Sequence, residues 1–276
     1  MFVITSTPTT IPKMTKQEIL DLARTHNANK SEIAALEAWV GDYDSFAAQY
    51  PRYALWMHRF APSLLTPARL DACAEEAPLF ALKWVPEMLS LSRLAACAEA
   101  KPAAALKYAA GLLTAKQLDV CAKAAPWYAL KYAAAMLAPK RLDDCARVRP
   151  AAALQYASGL LTPARLDACA KAKPIEALYY ATSLLTPKRV DRCAALRPLE
   201  GLAFASHLLS PARLDACAEA EPWYALLRAA KRLTPGRLDA CAAKFPEAGV
   251  MFAADLLSPE RLAWCRGQAA SYKTNL

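Results

Sequence analysis

The sequence predicts an all-α fold, an α-solenoid of tandem 24-residue helix-turn-helix repeats with a diverged helical N-terminal cap. Three observations carry that prediction. Nine cysteines, from Cys73 to Cys265, stand 24 residues apart without one insertion, and a fixed period of this size marks a solenoid. In copies counted from Leu65, the second residue is Ser or Thr in eight of nine, and proline follows it in seven. A further proline recurs at one place in all eight complete copies, from Pro78 to Pro246.

Each element follows from that punctuation. A hydroxyl and then a proline is the signature of a helix start, because the hydroxyl caps free N–H groups and proline lacks only a donor the first turn cannot use. The later proline would lose a hydrogen bond and clash inside that helix, so it opens a second one. Two helices of about ten residues are too short to persist alone in water and must bury apolar stripes against neighbours. Leu166, Cys169 and Ala170 illustrate the stripe of the first helix. Ala177, Leu178, Ala181 and Leu184 do so for the second, at three- and four-residue spacing. No run of β-branched residues alternates with polar ones, so no strand is expected.

The chain divides on the same basis. Residues 1–14 read as a Thr/Pro-rich N-terminal arm, and 15–64 as the diverged cap. In that cap Thr15-Lys-Gln-Glu18 forms a capping box and Ser31 is expected to open a second helix. A diverged copy is expected over 41–64, since Phe60, Pro62 and Leu64 fall in register with Trp84, Pro86 and Met88. Eight repeats fill 65–256. A truncated ninth and a C-terminal cap occupy 257–276, where Arg266 replaces the usual Ala and Ala270 the proline.

A second regularity concerns charge. The fifth position is Arg in every copy but the third, which has Gln117, and the seventh is Asp except at Ala95 and Ala263. Residues two apart do not face each other on one helix. Pairing each Asp with the Arg of the following copy explains the exceptions, because Ala95 and Gln117 are then two halves of one missing pair. The expected ladder is Asp71–Arg93, Asp119–Arg141, Asp143–Arg165, Asp167–Arg189, Asp191–Arg213, Asp215–Arg237 and Asp239–Arg261.

The A-L-x-Y-A-x-x-L core with a proline three residues ahead, as in Pro150-Ala-Ala-Ala-Leu-Gln-Tyr-Ala-Ser158, resembles the short two-helix repeats of uncharacterised bacterial and phage-related proteins. The likeness covers most of 65–256 and implies architecture, with no functional residue to carry over. The L-T-P opening is similar to that of TAL-effector repeats, whose longer unit and paired base-reading residues are absent here.

The thiols invite a metal or redox reading that geometry opposes. Helical layers stand about 10 Å apart, a disulfide needs Cα atoms within about 7 Å, and zinc needs four ligands around one ion. One cysteine per layer supplies neither, so the thiols are read as small buried packing residues. His26, His58 and His207 are isolated, and no phosphate-binding glycine loop or nucleophile elbow occurs. No enzyme, cofactor or metal is expected. No apolar stretch approaches the roughly 20 residues of a membrane span. Met1 to Pro12 lacks the basic flank and apolar core of a signal peptide. With nine free thiols, this points to a reducing cytoplasm.

Individual information lies at the variable positions. The fourth, eighth and eleventh places of the first helix should share an outward stripe. In copies three to six it carries Lys116, Lys123, Lys140, Arg147, Lys171, Lys188 and Arg192, with one acid, Asp144. Residues 113–208 hold 14 Lys/Arg against seven Asp/Glu, which is +7 of a formal +9, so the basic patch is regional. Trp127-Tyr128 and Trp223-Tyr224 open the second helix where other copies have Ala-Ala, Ile-Glu or Leu-Glu. Such rings either anchor a partner or wedge between layers. The leading expectation is a non-enzymatic scaffold for a protein or peptide, acidic in character. A nucleic-acid-binding solenoid neutralising successive phosphates is the alternative, and a structural or inhibitory protein of a mobile element is a third.

Overall fold

The computed structural model describes residues 14–274, so all of the expected arm but Met14 lies outside the described residues. Those residues form helices and short connections, with no strand among them. They fall into two compact units, Met1–Ala138 and Pro139–Leu276, a division the uniform period did not announce. It falls at the one copy whose second position, Ala138, has no hydroxyl.

Within each unit the repeats stack as an all-α solenoid of two rows. In the first unit α5 (Pro67–Glu76), α7 (Leu91–Ala100) and α9 (Ala115–Ala124) are the first helices of successive copies. Their second helices are α6 (Pro78–Trp84), α8 (Pro102–Tyr108) and α10 (Pro126–Tyr132). First helices pack on first helices and second on second. The second unit repeats this arrangement. Its first row is α11 (Pro139–Val148), α13 (Pro163–Ala172), α15 (Pro187–Leu196), α17 (Pro211–Ala220), α19 (Pro235–Lys244) and α21 (Pro259–Thr274). Its second row is α12 (Pro150–Tyr156), α14 (Pro174–Tyr180), α16 (Pro198–Ala205), α18 (Pro222–Ala229) and α20 (Pro246–Phe252).

The prolines act as expected. Thr162 Oγ1 accepts the Arg165 N–H at 3.3 Å and Pro163 opens α13. Lys173, the residue before the next proline, is turned out of the helical region (φ −138°, ψ 71°), as the clash with a following proline ring requires. The second helix is shorter than ten residues and ends in a three-residue 3-10 turn, as at Thr182–Leu184. That turn corrects one expectation. Ala177, Leu178 and Ala181 are fully buried, but Leu184 is 49 % exposed, because the tighter winding rotates it off the stripe and Leu185 takes the inner place.

The cysteines have a specific partner. The thiols of Cys97 and Cys121 donate to the carbonyls of Ala74 and Ala98 at 3.4 and 3.6 Å. In the second unit Cys169, Cys193, Cys217, Cys241 and Cys265 donate to Ala146, Ala170, Ala194, Ala218 and Ala242 at 3.5–3.7 Å. The fourth residue after each of those alanines is the proline that opens the second helix. An α-helix would satisfy the alanine carbonyl from that residue's N–H, and proline has none. The thiol of the next copy fills the vacancy, so the proline of one copy and the cysteine of the next are a coupled pair. Burial pushes these thiols above their ordinary pKa, Cys73 and Cys97 to about 11.

The ends obey the same rule. In α21 residue 270 is Ala, whose N–H is available to the Arg266 carbonyl, and the helix runs sixteen residues instead of ten. At the other end α1 (Lys16–Thr25) starts from the Thr15–Glu18 capping box, and Thr15 holds the Glu18 carboxyl below its usual pKa. The second helix, α2 (Lys30–Ala38), starts two residues before the sequence suggested. Asn29 caps the N–H groups of Ser31 and Glu32 and completes a second box.

The diverged copy is α3 (Tyr43–Gln49) and α4 (Pro51–His58). Cys73 donates to Ala47 O, 26 residues back instead of 23, and Arg69 pairs with Asp44 at 3.4 Å, 25 back where the expected ladder steps 22. Both offsets carry three extra residues, so these helices match the next copy at a spacing of 27. Phe60, Pro62 and Leu64 keep the 24-residue register because they lie beyond the insertion. Phe46 stands at the cysteine's place and packs against Trp39, Tyr43 and Tyr50, with ring centroids 5.3–5.4 Å away.

The uniform ion ladder is not what forms. Arg165 and Arg189 reach Asp143 and Asp167 at 3.7 and 2.9 Å, as expected. Arg93 and Arg237 instead take Glu75 and Glu219, both at 2.9 Å. These glutamates lie one turn beyond the aspartates of the same helices and are the better placed carboxylates; copies four and five have Arg147 and Lys171 there, leaving Asp as the partner. Asp71 and Asp215, so released, accept the capping hydroxyls of Ser90 and Thr234 in the next copy, and Asp191 accepts that of Ser210 although Ala195 stands at the glutamate's place. Arg213 makes no ion pair with Asp191, and its Nε is buried without a partner. Nor do Asp239 and Arg261 pair; Arg261 lies over the Trp264 ring at 5.1 Å. Arg141 approaches Asp144 of its own helix at 3.6 Å.

Close approach between the rows sets a local limit. Where most copies have Ala, the sixth has Gly201, and an added Cβ there would lie 2.6 Å from Ala194 Cβ. Gly201→Ala is therefore expected to destabilise the second unit by about 1 kcal/mol, the crowding cost exceeding the gain in helix propensity. Urea unfolding followed by circular dichroism checks this, and a raised midpoint would contradict the tight contact.

Candidate partner-binding surface

All seven cations of the expected stripe are exposed. The second unit brings five onto one face: Lys140 and Arg147 on α11, Lys171 on α13, and Lys188 and Arg192 on α15, three successive helices of the first row. Two of these charges are not equivalent to the rest. Arg147 pairs with Asp144 on its own helix, which lowers its value for a partner. Arg192 lies close enough to Asp167 to help keep that carboxyl below its usual pKa, chiefly an effect of the Arg189 hydrogen bond. The inward arginines Arg165 and Arg189 serve the stack, so this helix face separates structural from outward charge. Lys116 and Lys123 lie on α9 in the first unit, which does not by itself form a comparable face.

The aromatic pairs also fall in different units. Trp127 and Tyr128 are half-buried at the start of α10, their rings edge to face at 5.0 Å, and Lys131 Nζ lies 4.9 Å from the Trp127 ring. Trp223 is more exposed, meets Tyr224 at 5.1 Å and reaches Phe252 of the next copy at 5.8 Å. Trp223 therefore bridges two layers, whereas the ring contacts of Trp127 and Tyr128 include Tyr132 on their own helix.

A second cationic surface shows in the sequence only as Lys83, Lys107 and Lys131 recurring at one position of successive second helices. Along the second row of the first unit, Lys83 Nζ lies 5.4 Å from the Trp84 ring and Lys107 Nζ 4.8 Å from that of Tyr108. Tyr108 holds the Lys107 ammonium above its ordinary pKa, mainly through its hydroxyl. Arg52 extends the row into the cap, 4.7 Å from the Tyr53 ring and 5.1 Å from that of Phe80. The pairing with rings and the extension to Arg52 came only with the fold, since at the 27-residue spacing Arg52 stands at the place of Leu79 and not of a lysine.

His58 is buried, and burial lowers its pKa and favours the neutral form. Among the described residues, no three His, Cys, Asp or Glu side chains group to hold a metal ion, and no helix is long and apolar enough to cross a membrane. Comparison with protein-family models, with curated proteins and with solved structures returns no match for the chain.

Proposed function

We propose that the protein is a non-enzymatic binding scaffold that recognises an acidic protein or peptide. The observation that carries this reading is the exposed row of Lys140, Lys171, Lys188 and Arg192 on α11, α13 and α15, set apart from the arginines that tie the stack. Regular cations on a rigid face attract acidic partners and steer their approach. Solenoids use extended surfaces of this kind for recognition. Nucleic acid is the second reading, favoured by the same row through phosphate neutralisation.

A titration with labelled polyglutamate and with oligothymidylate across a salt series separates the two. Polyglutamate is expected to bind with affinity that falls as salt rises, and Lys171→Glu with Lys188→Glu is expected to weaken it about tenfold, or about 1.4 kcal/mol. Oligothymidylate binding more tightly than polyglutamate, with loss in the same variant, would transfer the function to nucleic acid. No polyglutamate binding at low salt would remove the acidic-partner reading.

A further inference from the structure

We propose that the second-row face of the first unit is a groove for an extended acidic peptide bearing an apolar side chain at every third residue. The proposal rests on the scaffold reading and gives it a second site and a ligand class. Two clefts adjoin there. One, of about 540 Å³, lies between the starts of α4 and α6; the other, of about 320 Å³, continues across α8 to Tyr128 on α10. Leu79 and Lys101 line both, and Leu79 is 40 % exposed at their junction. The floor is proline, alanine and aromatic surface, which favours apolar side chains.

The rim is cationic, with Arg52, Lys101 and Lys107 lining the clefts. Helices α4, α6, α8 and α10 that carry it contain not one Asp or Glu. Glu76, at the end of α5, is the acid on the edge of the first cleft. In the second unit α12 and α18 are also free of acids, but α14, α16 and α20 between and beyond them carry Glu176, Glu200 and Glu247, so an unbroken acid-free row belongs to the first unit. An apolar floor with a positive rim complements a ligand that alternates apolar and acidic groups.

Spacing selects the ligand's form. Packed helices stand about 8–10 Å apart, and a peptide extended as polyproline II has three residues per turn and advances about 3.1 Å per residue, so side chains three apart share one face. Every third side chain thus meets the next cleft, and the two between face solvent and the lysines. A single-stranded nucleic acid would instead need open ring faces for stacking. Here Arg52 and Lys107 lie over the rings of Tyr53, Phe80 and Tyr108, which leaves those rings as cleft walls.

Fluorescence anisotropy on the full chain tests this with three probes: a labelled peptide of repeated Leu-Asp-Glu triplets, a peptide of equal composition with its leucines grouped, and oligothymidylate. The triplet peptide is expected to bind about tenfold more tightly than the grouped one. Arg52→Glu with Lys107→Glu should weaken it by about tenfold, whereas Lys231→Glu, in the second unit and outside both cationic surfaces, should leave it unchanged. Both changes are at exposed side chains, and circular dichroism verifies that the variants are folded. Equal binding of the two peptides, indifference to the groove variant, or tighter oligothymidylate binding lost in that variant would each overturn the proposal. If the triplet peptide fails while polyglutamate still binds, the groove falls and the scaffold reading stands; failure of both removes the two together.

Discussion

Replacing Cys193 by valine should destabilise the second unit by about 2–6 kcal/mol. The residue is 2 % exposed and its thiol donates to Ala170 O at 3.7 Å. Pro174 cannot supply the N–H that would otherwise meet this carbonyl. Valine removes the donor and leaves a buried acceptor unsatisfied, a cost of about 1–3 kcal/mol. Its second branch also presses on a packed interface, adding about 1–3 kcal/mol. Cys193→Ser keeps a donor on a shorter bond and should lose about half as much. Urea unfolding of the full chain measures both, and a valine variant as stable as the parent would refute the coupling of proline and thiol.

Alkaline pH should dissolve the stack for a related reason. An unfolded thiol ionises near pH 9, whereas burial holds Cys73 and Cys97 until about 11. A group whose folded pKa is raised contributes stability that is complete below the unfolded value and is lost as pH climbs to the folded one. Between about pH 9 and 11 each of these two thiols should therefore withdraw about 2–3 kcal/mol. Cys121, Cys169, Cys193, Cys217, Cys241 and Cys265, shifted upward by burial, add to the loss. Unfolding midpoints taken across that window should fall steeply, and a Cys73→Ala, Cys97→Ala variant should show a shallower fall. A flat profile would contradict burial as the state of the thiols. Below the window, disulfide-exchange reagents should label the folded chain slowly and the urea-unfolded chain fully, since the thiolate is the reactive form.

The two cationic surfaces show how far a periodic sequence can be read for function. Fixed positions of the first helix translate directly into an outward stripe, because the ten-residue helices from Pro67 to Ala124 and from Pro139 to Lys244 keep one register. The second row was harder. Whether Lys83, Lys107 and Arg52 share a face depends on where each short second helix ends, and Arg52 stands at the place of Leu79 and not of a lysine. Charge pairing was harder still. A carboxylate one turn along the same helix captures Arg93 and Arg237, while Arg165 and Arg189 keep the expected aspartates. Side chains this long and polar are assigned by competition among neighbours, and composition at one position does not decide it.

By itself the sequence determined the helices, their caps, their stacking period and the burial of the cysteines. These depend on proline's missing N–H, on hydroxyl caps and on apolar spacing, all properties of residues near one another in the chain. Only the tertiary structure decided why those buried residues are cysteines, since the carbonyl each thiol meets belongs to the copy before. It likewise decided that Leu184 faces outward, that the array divides at Ala138, and which carboxylate each arginine takes. Each of these depends on groups brought together across layers, where distance and competition set the partner.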